Sequence, residues 1–201
     1  MSAKGEAGVP RTRRGWETRR KLLAAAEEVF GRDGYHKAAV FDITRQAGVG
    51  QGTFYLYFPS KQAVFVELVH EMGHDMRSTL RLATSGLPDR AAVEEEGLRA
   101  FFDFVARHPS LYRILRESEH VAPEAHRDWY ERLAEGYVAG IRDAVKEGGL
   151  RGVDPELAAY VLMSIGDFMG MWLLRWKGLR RVPDEMVAGI ADIVLRGLLP
   201  R

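Results

Sequence analysis

The chain has 201 residues, 46% hydrophobic and 28% charged, with a net charge of +1 and no cysteine. These values exclude a disordered charged tail, a disulfide-stapled fold and thiolate chemistry, and fit a soluble globular protein of one large or two small domains in a reducing cytoplasm. Charge is unevenly spread: residues 1–61 carry eleven Lys or Arg against six Asp or Glu, which implies an anionic partner for that third, either nucleic acid or a membrane surface.

Residues 1–17 read as a flexible basic arm carrying Arg11, Arg13 and Arg14, with no apolar signal core behind it. From there on, apolar residues recur at three- and four-residue spacing, and no alternating run supports a sheet, so the fold is expected to be all-α. A first helix over 18–32 places Leu22, Leu23, Ala26, Val29 and Phe30 on one face, with Gly34 placed to end it. A short helix over 39–47, a sharp turn at Gly48 and a third helix over 51–58 follow. Pro59 and Ser60 open a fourth, long helix to about residue 83. Later helices are expected near 89–107, 109–118, 123–147, 155–176 and 184–198, separated by Gly, Pro and Asp signals. The asparate at 167 interrupts the most apolar stretch, so no membrane span is implied.

The stretch "GVGQGTFYLYFPSK" at 48–61 raises two chemistries, a phosphate loop and a base-stacking platform. A dinucleotide loop needs a preceding strand, and a Walker loop needs Lys directly before Ser or Thr; neither is present. Stacking platforms lie on sheets, which this chain lacks. Helix, short glycine-containing turn and short helix is instead the helix-turn-helix pattern, whose second helix enters the major groove by its N-terminal residues. Gly48 permits the turn, and Gly52 lets a base edge or sugar approach the backbone. Phe54 and Phe58 share an anchoring face, while Tyr55, Tyr57 and Lys61 suit phosphate.

Residues 18–65 resemble the DNA-binding domain of TetR-family transcriptional regulators. The matching positions are Leu22, Ala26, Phe30, "DGY" at 33–35, Ile43, "AGV" at 47–49, "GQGTFYLYFPSK" at 50–61 and Phe65. The resemblance implies a homodimer on a near-palindromic operator, with an N-terminal helix-turn-helix domain (18–60) followed by a larger ligand-binding and dimerisation bundle (61–201). It also implies base reading by Gln51, Gly52 and Thr53 and phosphate contacts from Tyr55, Tyr57 and Lys61, with Thr44 and Arg45 within reach. The sequence departs from the family at Ala38, Ala39 and Val40, where Thr or Ser is usual; Thr44 replaces a common alanine and offers a substitute hydroxyl.

In the bundle, "HPSLYRILRESEHV" crowds charged and aromatic residues onto one short helix. Tyr112, Arg113, Arg116 and Glu119, with Trp129, Tyr130, Tyr137, Asp167, Phe168, Met171 and Trp172, are expected to line a pocket whose arginines hold a carboxylate or phosphate. The "LYRIxRExE" pattern also resembles TetR-family regulators that respond to acyl-CoA thioesters. Another reading makes these aromatics core and the charges surface pairs.

The last two long helices are expected to form a dimer interface through Leu157, Tyr160, Val161, Ser164, Ile165, Phe168, Val187, Ile190, Ile193, Val194 and Leu198, some of which could be intramolecular core. His70 and His74 have metal-ligand spacing but are expected to be exposed surface residues. No cofactor and no catalytic constellation are expected. The reading is therefore a dimeric, ligand-responsive repressor of double-stranded operator DNA, released by a small-molecule effector such as an acyl-CoA. The alternatives are the same fold responding to a drug-like or aromatic ligand, a small helical enzyme, and an adaptor.

Overall fold

A computed structural model describes residues 10–198. The helices are α1 (Arg13–Asp33), α2 (Val40–Ala47), α3 (Gln51–Tyr57), α4 (Lys61–Thr84), α5 (Arg90–Arg107), α6 (Leu111–Val121), α7 (Pro123–Lys146), α8 (Pro155–Gly170) and α9 (Asp184–Leu198), with α8 continuing as a π-helical segment, Met171–Trp176. No strand occurs among the described residues. The all-α expectation holds.

Helix α1 starts at Arg13 rather than residue 18, because the Thr12 hydroxyl accepts the Gly15 N–H at 3.1 Å and caps it. Arg13 and Arg14 are therefore helical and exposed, which shortens the expected arm; the arm's residues 1–9 lie outside the described part. Ala39 has no cap oxygen at the start of α2; the Asp42 carboxylate instead accepts the Ala39 N–H at 3.3 Å.

The described residues form two compact units. The first joins residues 10–72 to 110–127, and so takes α6 as well as the three N-terminal helices and the first half of α4. Leu22, Ala26, Val29, Phe30, Ile43, Phe54, Val64 and Phe65 are fully buried in it. Phe65 meets Phe30 edge-on at 5.1 Å and Tyr35 at 4.9 Å. Each of the larger side chains among these contributes roughly 1.5–3 kcal/mol of transfer free energy.

The second unit, residues 73–109 and 128–198, packs the rest of α4 and α7 with α5, α8 and α9. Ile141, Leu150, Ala158, Ala159, Leu162 and Val194 form one of its apolar clusters. Asp154 caps α8 by accepting the Leu157 N–H at 2.7 Å. Arg99 on α5 pairs with Asp184 at the start of α9.

Candidate nucleic-acid interface and ligand cavity

The α2–α3 turn is made by Gly48, whose φ of 67° and ψ of 33° lie in the left-handed region. Below it, Phe54 is fully buried and Phe58 3% exposed, 5.7 Å apart. Arg19 of α1 lies over the Phe58 ring at 5.4 Å and pairs with Glu67 and Glu71 of α4, tying three helices together.

With its phenylalanines inward, α3 turns Gln51, Gly52, Tyr55 and Leu56 outward on one face. Gly52 is informative. A Cβ there would meet nothing within 4 Å, and its φ is not positive, so neither packing nor backbone geometry within the chain requires glycine. Glycine inside a helix costs about 1 kcal/mol against alanine. Thr53 and Tyr57 are partly buried, the Tyr57 hydroxyl lying beside Gly15 at the start of α1. Arg45 is exposed, pairs with Asp42 at 3.0 Å and covers the exposed Phe41 ring at 5.5 Å. Arg11, Arg13, Arg14 and Arg20 add exposed positive charge to the same unit.

Two expected DNA ligands are directed elsewhere. Thr44 is 2% exposed and its hydroxyl donates to the Phe41 carbonyl at 3.0 Å, so it offers no surface hydroxyl. The Lys61 ammonium donates to the carbonyls of Tyr35 at 2.7 Å and Ala38 at 2.9 Å, and sits 4.5 Å from the Tyr35 ring centre. It fastens the α1–α2 loop instead of projecting toward phosphate.

Helix α6 acts on that same loop and on the end of α1. Arg113 donates to the carbonyls of Gly31 at 3.0 Å and Arg32 at 2.8 Å, and Glu117 accepts the Tyr35 N–H at 2.7 Å. A Cβ on Gly34, whose φ is 80°, would lie 2.6 Å from the Glu117 carboxylate. Arg113 thus binds backbone inside the first unit, which corrects its expected place at a ligand mouth. Tyr112 is buried, while Arg116 and Glu119 are exposed on the same helix.

A cavity in the second unit measures about 400 Å³, within the range of ligand pockets. Its apolar lining includes Leu80, Val93 and Leu133; Arg77, Arg81 and Arg132 supply positive charge, with His74 and Glu135 nearby on the lining. On its α5 wall Glu94, 3% exposed, accepts from Arg90 one turn earlier. Burial pushes the Glu94 carboxyl up, against the lowering effect of Arg90; burial and then Glu94 push the Tyr137 phenol up, so it remains an O–H donor. Burial lowers Arg77, and the neighbouring Arg132 lowers it further.

Of the expected ligand residues, Tyr137 alone is among those lining this cavity. Trp129 is core, its ring 3.0 Å from where a Gly73 Cβ would stand. Tyr130, Asp167 and Met171 are partly buried outside the lining, and Trp172 lies under the Lys177 ammonium at 4.3 Å. Phe168 is exposed and packs edge-on against Trp176 at 5.7 Å. Sequence reasoning missed Glu94 and its arginines, although a carboxylate in the apolar stripe of Gly97, Leu98 and Val105 was a readable signal.

On α8, Leu157, Tyr160, Val161, Ser164 and Phe168 form one exposed stripe at three- and four-residue spacing, and Met186 and Ile193 are exposed on α9. Val187, Ile190 and Val194 face inward as core, and Ile165 is partly buried; Leu198 has no described side chain. Pro155–Trp176 is also long and apolar enough to cross a membrane by length and composition, with a third of it buried within the protein. His70 and His74 are exposed, and no group of three or more metal-ligating side chains occurs among the described residues.

Residues 22–68 match the family model of bacterial regulatory proteins of the tetR family. The HTH-type transcriptional regulator YdgC of Bacillus subtilis is 43% identical over 196 residues, spanning 94% of this chain and 96% of YdgC. The HTH-type transcriptional activator FasR of Mycolicibacterium smegmatis is 27% identical over 184 residues, 90% of this chain and 83% of its own. The crystal structure of Bacillus subtilis FadR in complex with stearoyl-CoA shares the fold, with a TM-score of 0.75 at 20% identity over 88% of this chain and 95% of that one. With its helix-turn-helix, its all-helical bundle and a relative this similar along nearly the whole length, the chain belongs to the TetR family of transcriptional regulators.

Proposed function

We propose that the protein is a cytoplasmic homodimeric repressor that binds a near-palindromic operator through α3 and releases it when an amphipathic anion, an acyl-CoA or a similar molecule, occupies the second unit's cavity. The observation that carries the DNA reading is the outward face of α3: Gln51, Gly52 and Tyr55 are exposed, with a glycine that no intramolecular contact requires. Gln51, Gly52 and Thr53 then meet base edges, Tyr55 and Tyr57 meet phosphate, and Arg45 lies beside them. Two such helices must stand about 34–36 Å apart, or a multiple of it, to enter successive grooves. The exposed stripe of α8 and the outer face of α9 supply the dimer surface in this reading.

Effector release requires a ligand that prefers the arrangement unable to bind DNA. The arginines lining the cavity support an anionic ligand, and the stearoyl-CoA bound by FadR supports the thioester class. FasR carries the name of an activator, so the sign of control is read directly, by transcription with and without effector.

The test is fluorescence anisotropy with DNA from upstream of the protein's own gene, titrated with salt and then with acyl-CoA esters of several chain lengths. Specific binding that weakens steeply with salt, about 0.9 log units per log unit for each phosphate contact, and that is reversed by one of the esters supports the whole reading. Specific binding that no ester reverses removes the effector class alone. Binding indifferent to DNA sequence overturns the operator assignment.

A further inference from the structure

The cavity wall holds a polar feature that an ordinary hydrocarbon tail leaves unused. Arg90 and Glu94 are 11% and 4% exposed at their side chains and lie one turn apart on α5, so both ions have given up most of their water. Replacing such a buried pair with well-packed apolar residues is often neutral or stabilising, so the pair is poorly explained as a device for stability. A saturated chain laid against it would displace water from the remaining carboxylate lone pairs and guanidinium N–H groups without replacing any hydrogen bond. Tyr137, from α7, brings a phenol to the same lining. Acceptor and donors thus converge on one cavity.

A second set of charges differs in exposure. Arg81 and Arg132 are exposed and Arg77 is partly buried. Arg132 has a carboxylate neighbour of its own, Asp128 at 3.3 Å, and Glu135 shares the lining. The lining still carries more guanidinium than carboxylate, and Arg77 and Arg132 act on each other as like charges. An anionic group between them relieves that repulsion.

We propose that the cavity selects an amphipathic anion whose chain carries a hydroxyl or carbonyl group, the anionic end held by Arg77, Arg81 and Arg132 and the chain's polar group bonded by the Arg90–Glu94 pair and Tyr137. The inference rests on the acyl-CoA reading above and narrows it: a hydroxylated chain is preferred to a plain one of equal length. A ligand hydroxyl donates to Glu94 and accepts from Tyr137 or Arg90. The unsubstituted chain leaves those groups unpaired, which is the kind of loss that gives a binding site its sharpest discrimination.

The experiment compares octanoyl-CoA with 3-hydroxyoctanoyl-CoA by calorimetry on the full chain, with Tyr137→Phe, Glu94→Gln and Arg81→Ala beside the wild type. The wild type should bind the hydroxylated thioester about tenfold or more tightly, the scale of a hydrogen bond to a charged group. Tyr137→Phe and Glu94→Gln should shrink that preference, and Arg81→Ala should weaken both thioesters alike. If thermal melting shows Glu94→Gln to be unfolded, Tyr137→Phe decides. Equal affinity of the wild type for both thioesters overturns the inference and leaves the acyl-CoA reading standing. Binding of neither overturns that reading and this inference together, and a preference untouched by Tyr137→Phe and Glu94→Gln overturns the assignment of these residues.

Discussion

Helices α3 and α6 are both short members of the first unit and both bear polar side chains, yet they direct them in opposite ways. On α3, Gln51 and Tyr55 point outward with Gly52 between them, and the buried phenylalanines do the holding. On α6, Arg113 turns onto the last carbonyls of α1 and Glu117 onto the Tyr35 N–H of the α1–α2 loop, at 2.7–3.0 Å. One helix leaves Gln51 and Tyr55 exposed, and the other commits Arg113 and Glu117 inside the chain. Composition does not separate these cases. What separates them is whether a loop's unpaired backbone groups lie within reach, since buried N–H and C=O groups require partners.

Substitutions at α3, α6 and the start of α4 can break that contrast. The largest effect belongs to the holding side: Phe54→Ala should cost about 3–5 kcal/mol in denaturant unfolding and abolish DNA binding with it. Lys61→Ala should cost about 1.5–3 kcal/mol, because its hydrogen bonds from a charged donor go to loop carbonyls. The salt slope of DNA binding should then stay nearly constant; a drop of about 0.9 would return Lys61 to the phosphate contacts. Glu117→Ala should cost about 1–3 kcal/mol by leaving the Tyr35 N–H unpaired, measured by the same unfolding curves.

Gly52→Ala gives the sharpest comparison, because its two effects have opposite signs. The free protein should gain up to about 1 kcal/mol while operator affinity falls, as thermal melting and anisotropy would read. Retained affinity in the stabilised variant would mean that nothing approaches α3 closely at this position. The smallest effect is expected at the exposed Glu119, where alanine should change stability by less than about 0.5 kcal/mol.

Helix placement was legible because Gly, Pro and Asp mark the ends: Gly48 at the turn, Asp154 and Pro155 opening α8. The start of α1 was less so, because Thr12 reads as one more polar residue of a basic arm until its hydroxyl is seen to accept the Gly15 N–H. Thr44 was misplaced by the neighbouring register. It lies beside Ile43 on the inward side of α2, and a threonine there can satisfy its hydroxyl on a carbonyl three residues back. The inward commitment of Arg113 and Glu117 depends on backbone groups some eighty positions earlier, a distance at which local spacing carries no information. The arginine-rich look of α6 suggested a ligand site; the cavity's own charge was spread over α4, α5 and α7, where no single stretch shows it.

The two-part composition of the first unit has a consequence for synthesis. Glu117 reaches Tyr35 across 82 positions, and chains leave the ribosome N-terminus first. When residues 10–72 have emerged, the loop between α1 and α2 still has an N–H at Tyr35 that awaits Glu117, and the end of α1 has carbonyls at Gly31 and Arg32 that await Arg113. The DNA-reading end of the protein is thus translated early and completed late, after α5 and α6 have followed it out. A nascent chain halted before α6 would carry the reading helix without the brace for its loop, and closing so long a span adds an entropic cost to folding. Late completion therefore makes the earlier-translated part of the first unit wait for the arrival of α6.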